Sequence, residues 1–152
     1  MSTFDEYFVR ILDAAAAEAT ADGSAAVEAQ HLLLAIAGEG SPALEAAGLD
    51  RPALRRALEQ EFTRSLATAG VRVPGGLPRS TPDPARTHSI GASAKVAIER
   101  SFDLVERKRD IRPGHLLLGV IQAELGTVPR ALALAGVDRA ALRERALREV
   151  RE

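Results

Sequence analysis

Two stretches of this chain share the kernel His-Leu-Leu-Leu: QHLLLAIAGEG from Gln30 to Gly40, and GHLLLGVIQAE from Gly114 to Glu124. Four matched residues in a Leu-rich chain can be coincidence, but the flanks argue otherwise. After the first kernel come AAGLD (46–50) and RPALRRAL (51–58); after the second come LAGVD (134–138) and RAALRERAL (139–147). The kernels lie 84 positions apart, and both later blocks lie 88 apart. The difference of four is about one helical turn. Three matched blocks in one order mark an internal duplication of roughly 75 residues per unit. A unit that small buries little surface alone, so two copies are expected to share one core.

Each unit reads as four helices. In the first, Thr3 can cap a helix whose apolar positions Phe4, Phe8, Ile11, Leu12 and Ala15 follow helical spacing. TADGS (20–24) is a turn signal. A second helix over about 29–37 stops at Gly38 and Gly40, and a short third one follows Ser41-Pro42, with proline in its first turn. Gly48 and Asp50 form a C-cap and N-cap pair, and a fourth helix runs through Leu54, Leu58, Phe62 and Leu66. In the second unit the helices fall near 92–108, 113–124, 128–135 and 139–151, with Pro113 and Pro129 near two starts and Gly136-x-Asp138 repeating the cap pair. No segment reads as a convincing strand; GVRVP (70–74) is the nearest. The stretch 69–89 is rich in Pro and Gly and reads as a linker. The expected architecture is a single all-α domain over 1–152, pseudo-two-fold, with eight helices: unit one 1–68, linker 69–89, unit two 90–152.

Composition then narrows the function. Aromatics make up only 3% of the residues, and the apolar share of 46% is mostly Ala, Leu and Val, which suits closely packed helices. The absence of cysteine excludes disulfides and thiolate chemistry. There is no apolar run of membrane-spanning length, and MSTFDEYFVR lacks a signal pattern, so the cytoplasm is the simplest address. A net charge of -1 gives no reason to expect nucleic acid or an anionic membrane as partner. The tail RAALRERALREVRE (139–152) alternates its charges, as a solvated helix face does.

No motif points to an enzyme. His31 and His115 occupy equivalent positions at two helix starts, and such a pair could ligate zinc. A histidine in a first helical turn followed by three leucines reads better as a packed residue with a local hydrogen bond. No other ligand cluster supports a metal, and His88 lies in the linker without a nameable partner. There is no G-x-S-x-G elbow and no G-x-x-x-x-G-K-[ST] phosphate loop. No catalytic residue, metal or cofactor is therefore expected.

The two HLLL segments, with Gly48-Leu49-Asp50 and Gly136-Val137-Asp138 before the last helix of each unit, resemble the N-terminal Clp repeat domain of Clp-family AAA+ unfoldases. The resemblance implies a docking module that hands substrates or adaptor proteins to an ATPase ring. Its implied partners are Clp substrates, adaptors or cyclic peptides, and a Clp ATPase. A free-standing regulator that sequesters peptide ligands or antibiotics is the alternative it leaves open.

The resemblance also points to a surface. Some relatives bind phosphorylated arginine, with a Thr near the first helix of each unit on the phosphate and a Glu before the His on the guanidinium. Those positions here are Asp5 and Gly91, and Gln30 and Gly114. Asp5 would repel phosphate, and Gln30 and Gly114 supply no charge, so that recognition is expected to be lost or weak. The same surface binds cyclic peptides in actinobacterial relatives; here it comprises Phe4 and Ile90, with Lys95 and Glu99 on the following turns. Two apolar side chains flanked by charges can anchor a peptide. Phe4 as a hydrophobic staple and Ile90 as a plug of the linker onto the core is the competing reading.

Overall fold

The computed structural model describes residues 2–71 and 88–151. These form eight α-helices: α1 (Thr3–Asp22), α2 (Ala29–Glu39), α3 (Pro42–Ala46), α4 (Arg51–Thr68), α5 (Ala92–Asp103), α6 (Pro113–Ile121), α7 (Thr127–Leu134) and α8 (Arg139–Arg151). A single 3-10 turn, Lys108–Asp110, follows α5. Helix α5 thus stops at Asp103 rather than near 108, and α6 at Ile121 rather than near 124.

Local chemistry explains the helix ends. Ser2, not Thr3, caps α1: its Oγ accepts the Asp5 amide at 3.1 Å, and Asp5 Oδ2 accepts the Ser2 amide at 3.2 Å. Gly48 and Gly136 take left-handed backbone, φ 73° and 72°, which glycine adopts without strain. Asp50 and Asp138 then cap α4 and α8 by accepting the Ala53 and Ala141 amides at 2.9 and 3.1 Å. The four-residue offset between the units also has a location. Helix α3 has five residues and α7 eight, so most of the insertion lengthens the third helix.

The two HLLL helices meet at the centre, α2 against α6, with α1 and α5 packed beside them. Leu32, Leu33, Leu116, Leu117 and Leu118 are all buried in one core cluster that includes residues of both units. The units also clasp each other: α3 of the first packs on α8 of the second, and α7 packs on α4. Two glutamates at repeat-equivalent positions serve these contacts. Glu149 accepts the Ala43 amide at 3.2 Å, and buried Glu61 accepts from Arg130 at 2.9 Å and Ser65 at 2.7 Å.

Helix α4 departs from the sequence pattern. Phe62 was expected on the apolar face but is exposed, while Glu61 is buried. Helical geometry gives the reason. Steps of four residues overshoot the turn by about 40° each, so Phe62 lies about 80° from Leu54, whereas Glu61 lies about 20° from it. Glu18 is likewise buried, and its carboxylate takes Arg51 and Arg55 of α4, each at 2.6 Å. These two arginines brace α1 against α4.

One small sheet was not expected. Ala26–Val27 (β1) pairs in parallel with Ser89–Ile90 (β2). Ser89 therefore belongs to the fold rather than to a linker. Of the expected linker 69–89, residues 72–87 lie outside the described residues, as does most of GVRVP; Gly70 and Val71 are not strand.

Candidate functional site

The β1–β2 pair delivers the chain to the starts of α2 and α5. The Gly91 amide donates to the Val27 carbonyl at 2.8 Å, so the N-cap of α5 is tied to the segment entering α2. Ser93 completes the corner: its hydroxyl accepts the Ala29 amide at 2.8 Å and donates to Glu28 Oε2 at 2.5 Å. The Glu28 carboxylate lies directly over Gly91, where a Cβ would fall 1.4 Å from Oε1. Neither Glu28 nor Ser93 stands out in the sequence. Their contact spans 65 positions, and no local pattern signals it.

The corresponding face of unit one is built differently. Burial pairs Ile11 with Ala97 and Ala15 with Ser101, so positions 86 apart share a face. In that register Asp5 corresponds to Gly91. Ser2 starts α1 a turn earlier, so Asp5 lies inside the first turn while Gly91 is a cap. The hydrogen bond from Ser2 holds the Asp5 carboxyl below the ordinary carboxylate value. Both helix starts thus carry a carboxylate, Asp5 on α1 and Glu28 over α5, where a phosphate would have to sit.

Gln30 is half-buried in the first turn of α2. Gly114, its counterpart, is buried under α8: an added Cβ would lie 2.6 Å from Val150 Cγ1 and 2.9 Å from Glu149 Oε2. Any side chain there would have to push aside Val150 and the end of Glu149, which accounts for the glycine.

The expected pair of open apolar anchors is not what the fold presents. Phe4 is 7% exposed, and its ring packs on Tyr7, Phe8 and Phe102, with centroids 6.0, 5.8 and 6.1 Å away. This aromatic cluster joins α1 to α5, and every aromatic residue of the chain except Phe62 belongs to it. Ile90 is 46% exposed, so it does not plug onto the core either. Lys95, Val96 and Glu99 are exposed on the following turns of α5. The open surface is therefore a strip at the start and along α5, and Phe4 is part of the core.

The histidines are joints of the scaffold. The wholly buried His31 accepts the Glu28 amide on Nδ1 at 2.9 Å, and its Nε2 lies 2.7 Å from Asp22 Oδ2. A ring nitrogen that accepts an amide carries no proton, so neutral His31 donates from Nε2. His115 repeats the first bond, accepting the Arg112 amide on Nδ1 at 2.9 Å. The Nδ1 lone pair that a metal would need is taken in both rings. His88 Nε2 is buried with no hydrogen-bond partner among the described residues.

These joints make stability depend on pH. Burial, with Arg112 nearby, holds His115 below the ordinary 6.5. Burial alone would raise Asp22, but hydrogen bonds from His31 and Ser24 outweigh it and hold the carboxyl below 3.8. In both cases the fold favours the deprotonated form. The His115 contribution is complete above pH 6.5 and fades as pH falls toward its lowered value; the Asp22 contribution is complete above 3.8 and fades as pH falls through its own. Urea unfolding from pH 7.5 to 3 is expected to show two separate losses. His115→Asn removes the upper one and Asp22→Asn weakens the lower. A flat profile between pH 7.5 and 5.5 would refute the His115 assignment.

The duplicated unit, the capped Gly-x-Asp turns and the inward HLLL helices agree with a family match. A model of the Clp repeat N-terminal domain matches residues 3–88, more than half of the chain. The chain belongs to the Clp repeat N-terminal domain family. No curated protein matches it. The Clp repeat domain is a non-catalytic helical domain that mediates protein interactions in Clp systems. Among the described residues no helix is long and apolar enough to cross a membrane.

Proposed function

We propose that this domain is a non-catalytic receptor for protein segments, recruiting substrates or adaptors to Clp-mediated unfolding and degradation. The observation that carries the reading is the strip along α5, where exposed Ile90 and Val96 lie among exposed Lys95 and Glu99. Apolar side chains flanked by charges of both signs suit a peptide with an apolar anchor. The carboxylates at the two helix starts argue against phosphoarginine as the ligand, and Gln30 and Gly114 leave the guanidinium without a charged partner.

Calorimetric titration tests both halves of this reading. A cyclic peptide of the kind that binds Clp N-terminal domains is expected to bind, and Ile90→Asp to weaken it about tenfold or more, roughly 1.4 kcal/mol. A phosphoarginine peptide is expected to give no saturable heat. Micromolar phosphoarginine binding that changes at Asp5 or Gln30 abolish would overturn the second half; cyclic-peptide affinity indifferent to Ile90 would overturn the first.

A further inference from the structure

The two Gly-x-Asp turns, 48–50 and 136–138, face a common cleft of about 400 Å³ where α4 and α8 approach each other. Small residues keep it open. A Cβ added to Gly48 or Gly136 would meet nothing within 4 Å, and the helices present Ala53, Ala57 and Ala141 as an apolar floor. Arg56, Gln60 and Arg145 also line it.

The charges are unbalanced. Arg51 and Arg55, the neighbours of Arg56 on α4, are held by Glu18. Arg56 and Arg145 make no ion pair or hydrogen bond among the described residues. The acid that lines the cleft, Asp138, is engaged by the Ala141 amide. Two guanidinium groups in one cleft favour an anion, and their fork geometry suits carboxylates. The volume lies within the range of ligand pockets, about 300–1,000 Å³, and exceeds what an inorganic anion fills. The alanine floor asks for small apolar groups beside the charge.

We propose that this cleft binds an acidic segment of a partner protein, with its carboxylates on Arg56 and Arg145 and its apolar side chains on the alanine floor. The cleft shares no residue with the α5 strip, so either assignment can fail without the other.

Titration of the ¹⁵N-labelled protein with the blocked peptide Glu-Ala-Leu-Asp, followed by amide chemical shifts, tests this. The expected result is saturable shifts confined to the stretches near Gly48–Gln60 and Gly136–Arg145, and affinity weakened tenfold or more in the Arg56→Gln/Arg145→Gln variant. Both arginines are exposed, and an unchanged urea midpoint checks that the variant is folded. The control peptide Gln-Ala-Leu-Asn is expected to give no shifts. Equal binding of the control, binding unaffected by the double substitution, or shifts centred elsewhere would each overturn the assignment. Saturation by inorganic phosphate as tight as by the acidic peptide would reduce the cleft to a plain anion site and overturn it too.

Discussion

Replacement of His31 by alanine is expected to lower the free energy of unfolding by about 3 kcal/mol, without loss of any bound metal. Three effects add. The Glu28 amide loses its only side-chain acceptor, and a part-buried donor left without a partner costs about 1–3 kcal/mol. Asp22 loses the ring N–H that helps hold its charge. The ring is wholly buried, so its removal leaves a cavity between α1 and α2. His115→Ala is expected to cost only about 1 kcal/mol, because that ring is half-exposed and water can take over the Arg112 amide. Urea denaturation of the two variants at pH 7.5 measures the difference. Equal costs would mean that packing does not set the role of His31. Zinc bound to the wild type and lost from the variants would restore the metal reading.

Gly119→Ala reverses the rule of helix propensity. In an exposed helix the change would stabilise by about 1 kcal/mol. In α6 it is expected to destabilise by about 3 kcal/mol, at the upper end for overpacking. The added Cβ would lie 2.0 Å from Ser101 Oγ and 2.4 Å from the Ala97 carbonyl oxygen, with the Ser101 amide at 3.0 Å. Two of these neighbours are backbone atoms of α5, so the helices must separate. Ser101→Gly in the same chain relieves the hydroxyl contact alone and restores only part of the loss. A thermal or urea midpoint at or above that of the wild type would show that α5 and α6 do not approach this closely in solution.

Those two substitutions also separate what was legible in the sequence from what was not. The histidine was readable: its place in a repeated first turn ahead of three leucines announces a packed ring with a local bond. Gly119 was not, because HLLLG differs from HLLLA in unit one only by a methyl group, and the reason lies in the closeness of a helix over 15 positions away. The same holds at the site. Asp5, Gln30, Gly91 and Gly114 were marked by the resemblance to the Clp repeat domain, but what covers the two glycines comes from far along the chain: Glu28 over Gly91 and Val150 over Gly114. Phe4 and Ile90 look alike in the sequence as apolar residues near helix starts. One is buried because Phe102 of the other unit packs on it; the other is open.

The sequence by itself determined the duplication, the all-α class, the eight helices and the two Gly-x-Asp cap pairs. It could do so because periodicity, turn glycines and capping acids act over a few residues, within reach of their own backbone. Only the tertiary structure decided which apolar residues are covered, how β1 pairs with β2, that Glu18 and Glu61 sit inside with arginine partners, and that the Gly-x-Asp turns face a cleft. Each of these depends on surfaces brought together from positions tens of residues apart. Their outcome is set by shape and charge at the contact, and a pattern of neighbours along the chain does not carry that information.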